Sequence, residues 1–309
     1  MECNGAKVFD VVSVGHLCID SILLPGSATP FTVLGGSSTY VSFAARRLSA
    51  RVSVVSKVGA DFPRAYRWWL EQEGVDLTGT VTDEDAMTTR FELKYDNDFS
   101  ARTLRLKNNA GPIRVEDLPD SLRAKVIHVG PIAGEVNESL MERLRGSADV
   151  LSLDPQGLVR RYDQDGRVSV GPLSDKRVLS IVDVFKSSLE EVQAVTGVSE
   201  LEGAMKMLHD SGIKIVIVTL GEGGAAVSVE NTIHKVPAYK VEKVVDPTGA
   251  GDAFIGGFLA EYIRGEDCAW SSCVGAAVAS TVVEGVGPTH FGSQEEILER
   301  ARLLYEKEN

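Results

Sequence analysis

VVDPTGAGDAF, residues 244–254, sets two glycines and an alanine between acidic residues, directly before an apolar run. Phe254, Ile255, Phe258, Leu259, Tyr262 and Ile263 recur at helical spacing, which predicts a helix over 252–263 starting near Gly251 or Asp252. The first backbone N–H groups of such a helix have no intrahelical acceptors, and its dipole places positive charge there. Gly249, Ala250 and Gly251 add little bulk, so an anionic group can reach those amides. The stretch reads as an anion hole with an acid beside it. Acids favour first helical turns for the dipole alone, so Asp252 by itself has two readings. Phosphoryl transfer to a hydroxyl needs this pairing: amides stabilise charge on the transferred group while a carboxylate accepts the hydroxyl proton.

Outward from this stretch, short β-branched runs alternate with helical patterns. VFDVVSVG (8–15), RVSVVSKVG (51–59), AKVIHVG (124–130), DVLSLDP (149–155), LSIVDV (179–184) and IKIVIVTLG (213–221) read as strands buried on both faces. Helices are expected over 38–48, 64–73, 136–145, 188–196 and 201–210. The alternation implies a mostly parallel sheet covered by helices on both sides. TTRFELKYDNDFSARTLRL (88–106) departs from it, reading as two strands around a polar turn with Asn97-Asp98 near the tip. No repeat or interdomain linker is visible, so one α/β domain over 1–309 is expected, with a small β lid from about 17–31 and 88–107.

Composition narrows the class. The 309 residues include 43% hydrophobic and 25% charged residues, an ordinary globular balance. A formal net charge of −12 argues against a nucleic-acid binder or a basic membrane-surface protein. Cys3, Cys18, Cys268 and Cys273 form no CxxC pair and no metal-ligand spacing, which favours reduced, structural thiols in a cytoplasmic protein. The N-terminal segment lacks a basic region followed by an apolar one, and runs such as CVGAAVASTVV are too short to span a bilayer.

DPTGAGDAFIGGF (246–258) resembles the C-terminal signature of the PfkB, or ribokinase-like, carbohydrate kinase family. The resemblance extends along the chain through VSVGHLCID (12–20), the diglycine segment LGGSSTYVSFAARRL (34–48), SKVGADFPRAYRWWLEQEGVDL (56–77) and VTLGEGGAAV (218–227). It implies a three-layer α/β fold with a nine-stranded or similar sheet, a β lid, and Mg-ATP-dependent phosphorylation of a hydroxyl on a small sugar or polyol, with a homodimer as an option. Carried over by position, Asp252 is the catalytic base, and Gly249, Ala250 and Gly251 form the anion hole. Asp20 binds acceptor hydroxyls, with Gly35, Gly36, Tyr40, Gln156 and Arg160 around the acceptor. Lys186, Ser188, Thr219, Gly221 and Gly224 border the nucleotide. Glu191 serves magnesium through water, and Asp246 with Thr248 lies where some members bind potassium.

Two positions depart from the family pattern. Ser188 stands in SSLEE where an Asn-x-x-Glu motif is usual, with Glu191 retained. Tyr40 stands four residues after the second glycine, where ribokinases carry asparagine, so ribose is disfavoured. Together with LDPQGLVRRYD (153–163), Tyr40 makes the chain similar to the myo-inositol kinase branch, with nucleoside, hexose and 2-keto-3-deoxygluconate kinases as alternatives. A catalytically silent sugar- or nucleotide-sensing protein is the alternative outside the enzymes.

Other motifs keep bland readings open. Gly221, Gly223 and Ala226 fit a dinucleotide fingerprint, but the strand-like AAVSVENTIHKV follows where a helix would be needed. No P-loop pattern occurs. His16 reads equally as structural or as an acceptor ligand, and Asp154 as a phosphate contact or a local cap. Lys186 and Glu191 could instead form a solvated pair on a helix face. Trp68 and Trp69 read as packing residues.

Overall fold

The computed structural model describes residues 8–97, 99 and 101–308. Cys3, the N-terminal segment through residue 7, and Asp98 of the expected turn lie outside the described residues. The chain opens with β1 (Phe9–Val14), β2 (Cys18–Leu23), β3 (Phe31–Gly35), α1 (Ser37–Arg47), β4 (Val52–Gly59), α2 (Arg64–Gln72) and β5 (Val75–Asp83). It continues through β6 (Arg90–Tyr95), β7 (Arg102–Asn108), β8 (Ala124–Val129), α3 (Glu138–Arg145), β9 (Ala148–Leu153), α4 (Gln156–Val159), β10 (Arg160–Tyr162) and β11 (Val168–Val170). The remainder is β12 (Val184–Ser188), α5 (Leu189–Thr196), α6 (Leu201–Asp210), β13 (Ile215–Thr219), β14 (Ala225–Val229), β15 (Thr232–Val236), α7 (Ala250–Tyr262), α8 (Cys268–Val282) and α9 (Gln294–Glu308).

Nine strands form one sheet in the order β15-β14-β13-β12-β9-β8-β1-β4-β5. From β13 to β5 every pairing is parallel, and only β14 and β15 add on antiparallel. Each buried strand feeds both faces, because successive side chains point to opposite sides. Val11, Val54, Val126, Ile215 and Ile217 enter an apolar cluster with Phe254, Phe258, Leu259 and Val278. Their neighbours Val12, Val55, Ile127, Val216 and Val218 enter a second cluster with Leu140, Leu144, Val192 and Leu208. Helices therefore cover both faces, and the C-terminal ends of the parallel strands share one rim.

The segments expected to supply a lid form a separate four-stranded sheet, ordered β3-β2-β6-β7. Its apolar face, with Ile22, Phe91, Leu93 and Tyr95, packs with Ile132 and Ala133 in a third cluster. The amide of Leu106 in this sheet donates to Gly166 O at 2.8 Å, joining it to the β10–β11 hairpin.

Two expectations change. LSIVDV is not a strand: Lys176–Ile181 form a 3₁₀ turn whose start is capped by Asp175, and the strand begins at Val184. Asp183 explains the boundary, since its carboxylate accepts from Leu151 N at 2.9 Å and pairs with Lys214 at 2.9 Å, closing the sheet edge there. Trp69 does pack, meeting the Phe43 ring edge-on at 5.2 Å, but Trp68 is 62% exposed. AAVSVENTIHKV is the β14–β15 hairpin, which removes the dinucleotide fingerprint.

Candidate active site

At the rim, α7 begins with Gly249 as N-cap, φ +78°, and no side chain caps it. The left-handed φ suits glycine, and a Cβ there would collide with the Tyr40 ring, which backs the loop from inside the core. A Cβ on Gly251 would lie 2.8 Å from Lys186 Nζ. Backbone amides, the helix dipole and an ammonium thus converge on one small space without a side chain filling it.

Asp252 sits in the first turn of α7, and its Oδ1 accepts from Gln156 Nε2 at 3.2 Å. Gln156 Oε1 in turn accepts from Arg160 Nη2 at 2.6 Å. Lys186, on β12, is buried and pairs with Asp154 at 2.6 Å. Burial alone would lower the Lys186 ammonium, but Asp154, Asp252 and Glu191 hold it above the ordinary lysine value. The solvated helix-face reading of Lys186 is thereby excluded. Glu191 and Ser188 close a reciprocal capping box at the start of α5: Ser188 N and Oγ donate to Glu191 Oε2 at 2.8 Å each, and Glu191 N donates to Ser188 Oγ at 3.3 Å. Burial opposes the Glu191 charge, yet Lys186 and the Ser188 donors hold its pKa below the usual value.

Opposite this cluster stands Asp20, on β2 of the smaller sheet and 5% exposed. Its carboxylate fills the space where a side chain on Gly35 would project, so Gly35 is needed for a steric reason. Gly36, φ +92°, packs against the His16 carbonyl. Cys18 Sγ, a weak donor, is the hydrogen-bond partner of Asp20 at 3.1 Å. Burial raises the Asp20 pKa to about 6, against the pull of Cys18, Arg160 and Arg102. The Tyr40 ring lies against Gly249 and is buried. Its buried hydroxyl has no hydrogen-bond partner among the described residues and lies in the field of Asp20, Asp246 and Asp252.

Asp246 is fully buried, and both its oxygens accept hydrogen bonds: Oδ1 from Thr248 N (2.9 Å) and Oγ1 (2.6 Å), Oδ2 from Gly287 N (2.8 Å). It braces the loop before α7. Thr219, at the end of β13, brings its Oγ1 within 3.9 Å of the Cβ position of Gly251. Gly221 and Gly224 shape the turn beyond it, and a Cβ on Gly224 would strike the Val236 carbonyl. His16 is structural: it is buried, its Nδ1 meets Thr89 Oγ1 at 2.8 Å, and its amide donates to Glu135 at 2.9 Å.

Sequence reasoning missed Arg102 and Tyr95, both from the second sheet. Arg102 Nη1 donates to Tyr95 Oη at 3.3 Å, and Tyr95 Oη meets Thr248 Oγ1 at 2.9 Å. Thr248 already donates to Asp246, so Tyr95 donates to Thr248. The guanidinium of Arg102 lies in the field of Asp252, Glu191 and Asp20. No local motif marks an arginine in a strand as a site residue; the pairing of β6 with β7 across from α7 does. Among the described residues, no group of three His, Cys, Asp or Glu side chains could hold a metal ion, and no helix is long and apolar enough to cross a membrane.

Residues 8–295 match the pfkB family carbohydrate kinase profile. The chain is 31% identical over 274 residues to a cytidine kinase of Thermococcus kodakarensis, covering 84% of this chain and 92% of that one. It is 30% identical over 290 residues to an inositol 3-kinase of Arabidopsis thaliana, covering 91% and 76%. A pyrophosphate-dependent kinase of the ribokinase family, solved with a pyrophosphate analogue and myo-inositol, superposes with a TM-score of 0.78 at 22% identity, covering 93% of this chain and 98% of that one. The ribokinase-like fold and the matched profile agree: the chain belongs to the pfkB family of carbohydrate kinases, phosphotransferases that act on sugar or nucleoside hydroxyls.

Proposed function

We propose that the protein transfers the γ-phosphoryl group of Mg-ATP to a hydroxyl of a small polyhydroxylated ring, with myo-inositol as first candidate. The observation behind this reading is Asp252, set at an uncapped helix start beside Lys186 and across from the buried Asp20. Asp20 and the unpartnered Tyr40 hydroxyl orient acceptor hydroxyls. Asp252 takes the proton of the reacting hydroxyl as its oxygen bonds to the γ-phosphorus. The bond from that phosphorus to the β–γ bridging oxygen breaks, and ADP leaves with the electron pair. The amides of Gly249, Ala250 and Gly251, with Lys186 and Arg102, face the charge on the transferred group. Magnesium, when bound, would neutralise charge on the β- and γ-phosphates, and Glu191 would hold it through water, as no three-ligand His, Cys, Asp or Glu cluster occurs among the described residues. Ser188, Thr219, Gly221 and Gly224 border the nucleotide, and the loop at Asp246 and Thr248 would hold potassium. The four-stranded sheet closes over the acceptor as a lid and excludes water.

A nucleoside acceptor is the second reading, favoured by the 31% identity to the Thermococcus cytidine kinase. Product release measured across myo-inositol, cytidine, adenosine, ribose, fructose and 2-keto-3-deoxygluconate, with ATP or pyrophosphate as donor, separates the readings. A site that pairs several hydroxyls rejects acceptors lacking them, so kcat/KM for myo-inositol should exceed that for ribose or adenosine by about 10²-fold. Preference for cytidine would replace inositol and leave the transfer chemistry in place. Absence of transfer to every acceptor would leave a sensing protein.

A further inference from the structure

The family resemblance places Gln156 and Arg160 around the acceptor, but the structure engages both with protein partners. Gln156 is 8% exposed, and both ends of its amide are occupied, one by Asp252 and one by Arg160. The orientation of that amide follows from chemistry. A guanidinium can only donate, so Oε1 must face Arg160, and Nε2 must face the carboxylate, which accepts. Hydrogen bonds therefore run one way, from Arg160 through Gln156 to Asp252 Oδ1.

Arg160 is fixed at its other end. Its Nη1 donates to Ile132 O at 2.8 Å, and its guanidinium lies 5.5 Å from the centre of the Phe91 ring, on β6 of the smaller sheet. The four-residue helix α4 is pressed onto the same loop: Gly157 N donates to Pro131 O at 2.8 Å, and a Cβ on Gly157 would strike the Pro131 backbone. Position 156 thus has little freedom to turn toward an acceptor.

We propose that Gln156 and Arg160 are positioning residues that hold Asp252 Oδ1 and leave Oδ2 to take the acceptor proton. Phe91 under Arg160 makes the hold depend on the placement of the smaller sheet. This inference rests on the kinase reading above. Other charged or titratable groups also face this line: Lys186 from β12, Arg102 from β7, Tyr40 from α1 and Asp154 after β9 around Asp252; Asp20 and Cys18 from β2 and Glu191 from α5 around Arg160. Substitution at 156 leaves the identity of every one of these groups unchanged, which makes Gln156 the informative position.

The test compares wild type with Gln156→Leu, Gln156→Glu, Arg160→Met and the Leu/Met double variant, measuring kcat, acceptor KM and the pH profile of kcat. Gln156→Leu should lose about 10–100-fold in kcat with acceptor KM within about threefold, the mark of a misdirected base. Gln156→Glu, nearly unchanged in size, places a second carboxylate against Asp252 and should move the acidic limb of kcat up by about one pH unit or more. Arg160→Met leaves the amide free to turn, so its loss should overlap that of Gln156→Leu and the double variant should be no worse than the poorer single one. A tenfold rise in acceptor KM with kcat retained in Gln156→Leu would make Gln156 an acceptor ligand and overturn the proposal. An unmoved acidic limb in Gln156→Glu, or additive losses in the double variant, would overturn it too. Wild-type protein that phosphorylates no acceptor removes the kinase reading and this inference together, whereas active wild type with unimpaired variants removes this inference alone.

Discussion

Two helices begin at the rim of the sheet, within reach of the same ammonium, and their N-termini are finished in opposite ways. At α5, Ser188 and Glu191 satisfy each other's backbone amides in a closed capping box. At α7, the N-cap is Gly249 in the left-handed region, and no side chain caps it. A capped terminus gains stability from its own chain; an uncapped one keeps its donors for something else. On the proposed reading, α7 is the anion-binding start and α5 a braced wall carrying Glu191. Lys186 lies between them, close to Gly251 and in the field of Glu191.

The strongest way to break this contrast is to remove the acid that the open terminus holds. Asp252→Asn should retain nucleotide binding and lose about 10²–10⁴-fold in kcat, the range expected for removing a general base. Turnover near the wild-type rate in a coupled ADP assay would take Asp252 out of that role. Gly251→Ala probes the open space itself. Its Cβ would sit 2.8 Å from Lys186 Nζ, the movable tip of a long side chain, so the fold should survive while the ammonium is displaced. Loss of about 10–100-fold in kcat with a normal melting profile is expected from a group moved off the transferred charge. Unchanged kcat would show that neither Lys186 nor the amides at this point touch the phosphoryl group.

The contrast also explains what the sequence made legible. VVDPTGAGDAF exposed the start of α7 because glycine, alanine and acid before an apolar run are a local pattern, and β1, β4, β8, β9 and β13 showed as apolar runs. The 3₁₀ turn before Val184 reads as strand because Leu179, Ile181 and Val182 are as apolar as strand residues, and only Asp183 bonding across the sheet marks the boundary. Arg102 and Tyr95 were missed because their meaning lies in the pairing of β6 with β7 and the contact of Tyr95 with Thr248, 153 positions away. Gln156 and Arg160 were found as residues of interest, but their mutual bond depends on α4 being pressed on the Pro131 loop. Composition cannot show that.

A smaller effect concerns Asp20, whose carboxylate is buried against Gly35, just before the start of α1. Burial lifts its pKa from 3.8 to about 6, so the folded state binds its proton more tightly than the unfolded state. Stability from this group is therefore fully present below pH ~4, declines as pH rises toward ~6, and is flat above, a span of up to ~3 kcal/mol for a shift of about two units. Asp20→Asn should abolish that decline in denaturant titrations between pH 4 and 6. Acceptor KM in wild type should rise as pH drops below about 6, because the neutral carboxyl accepts hydroxyl protons less well. A KM flat from pH 5 to 8 would separate Asp20 from the acceptor.

The smallest expected effect tests the braced helix. Ser188 stands where the family usually carries asparagine, and two roles compete for it: an N-cap, or a ligand to water around magnesium. The structure engages its Oγ twice, as donor to Glu191 Oε2 and as acceptor from Glu191 N. A hydroxyl has one proton, and here that proton points at Glu191 rather than outward. Ser188→Ala should then cost ~1 kcal/mol of stability, as for other lost caps. Activity at saturating magnesium should fall by no more than about threefold, since Glu191 still accepts the amide of residue 188 and stays under the field of Lys186. A magnesium titration decides between the roles. If the half-saturating magnesium concentration rises tenfold or more in Ser188→Ala while stability is unchanged, the hydroxyl serves the ion and α5 is as functional a terminus as α7. If stability falls and the magnesium curve stays in place, Ser188 works through the helix, and its replacement of asparagine leaves phosphoryl transfer to α7 and Lys186.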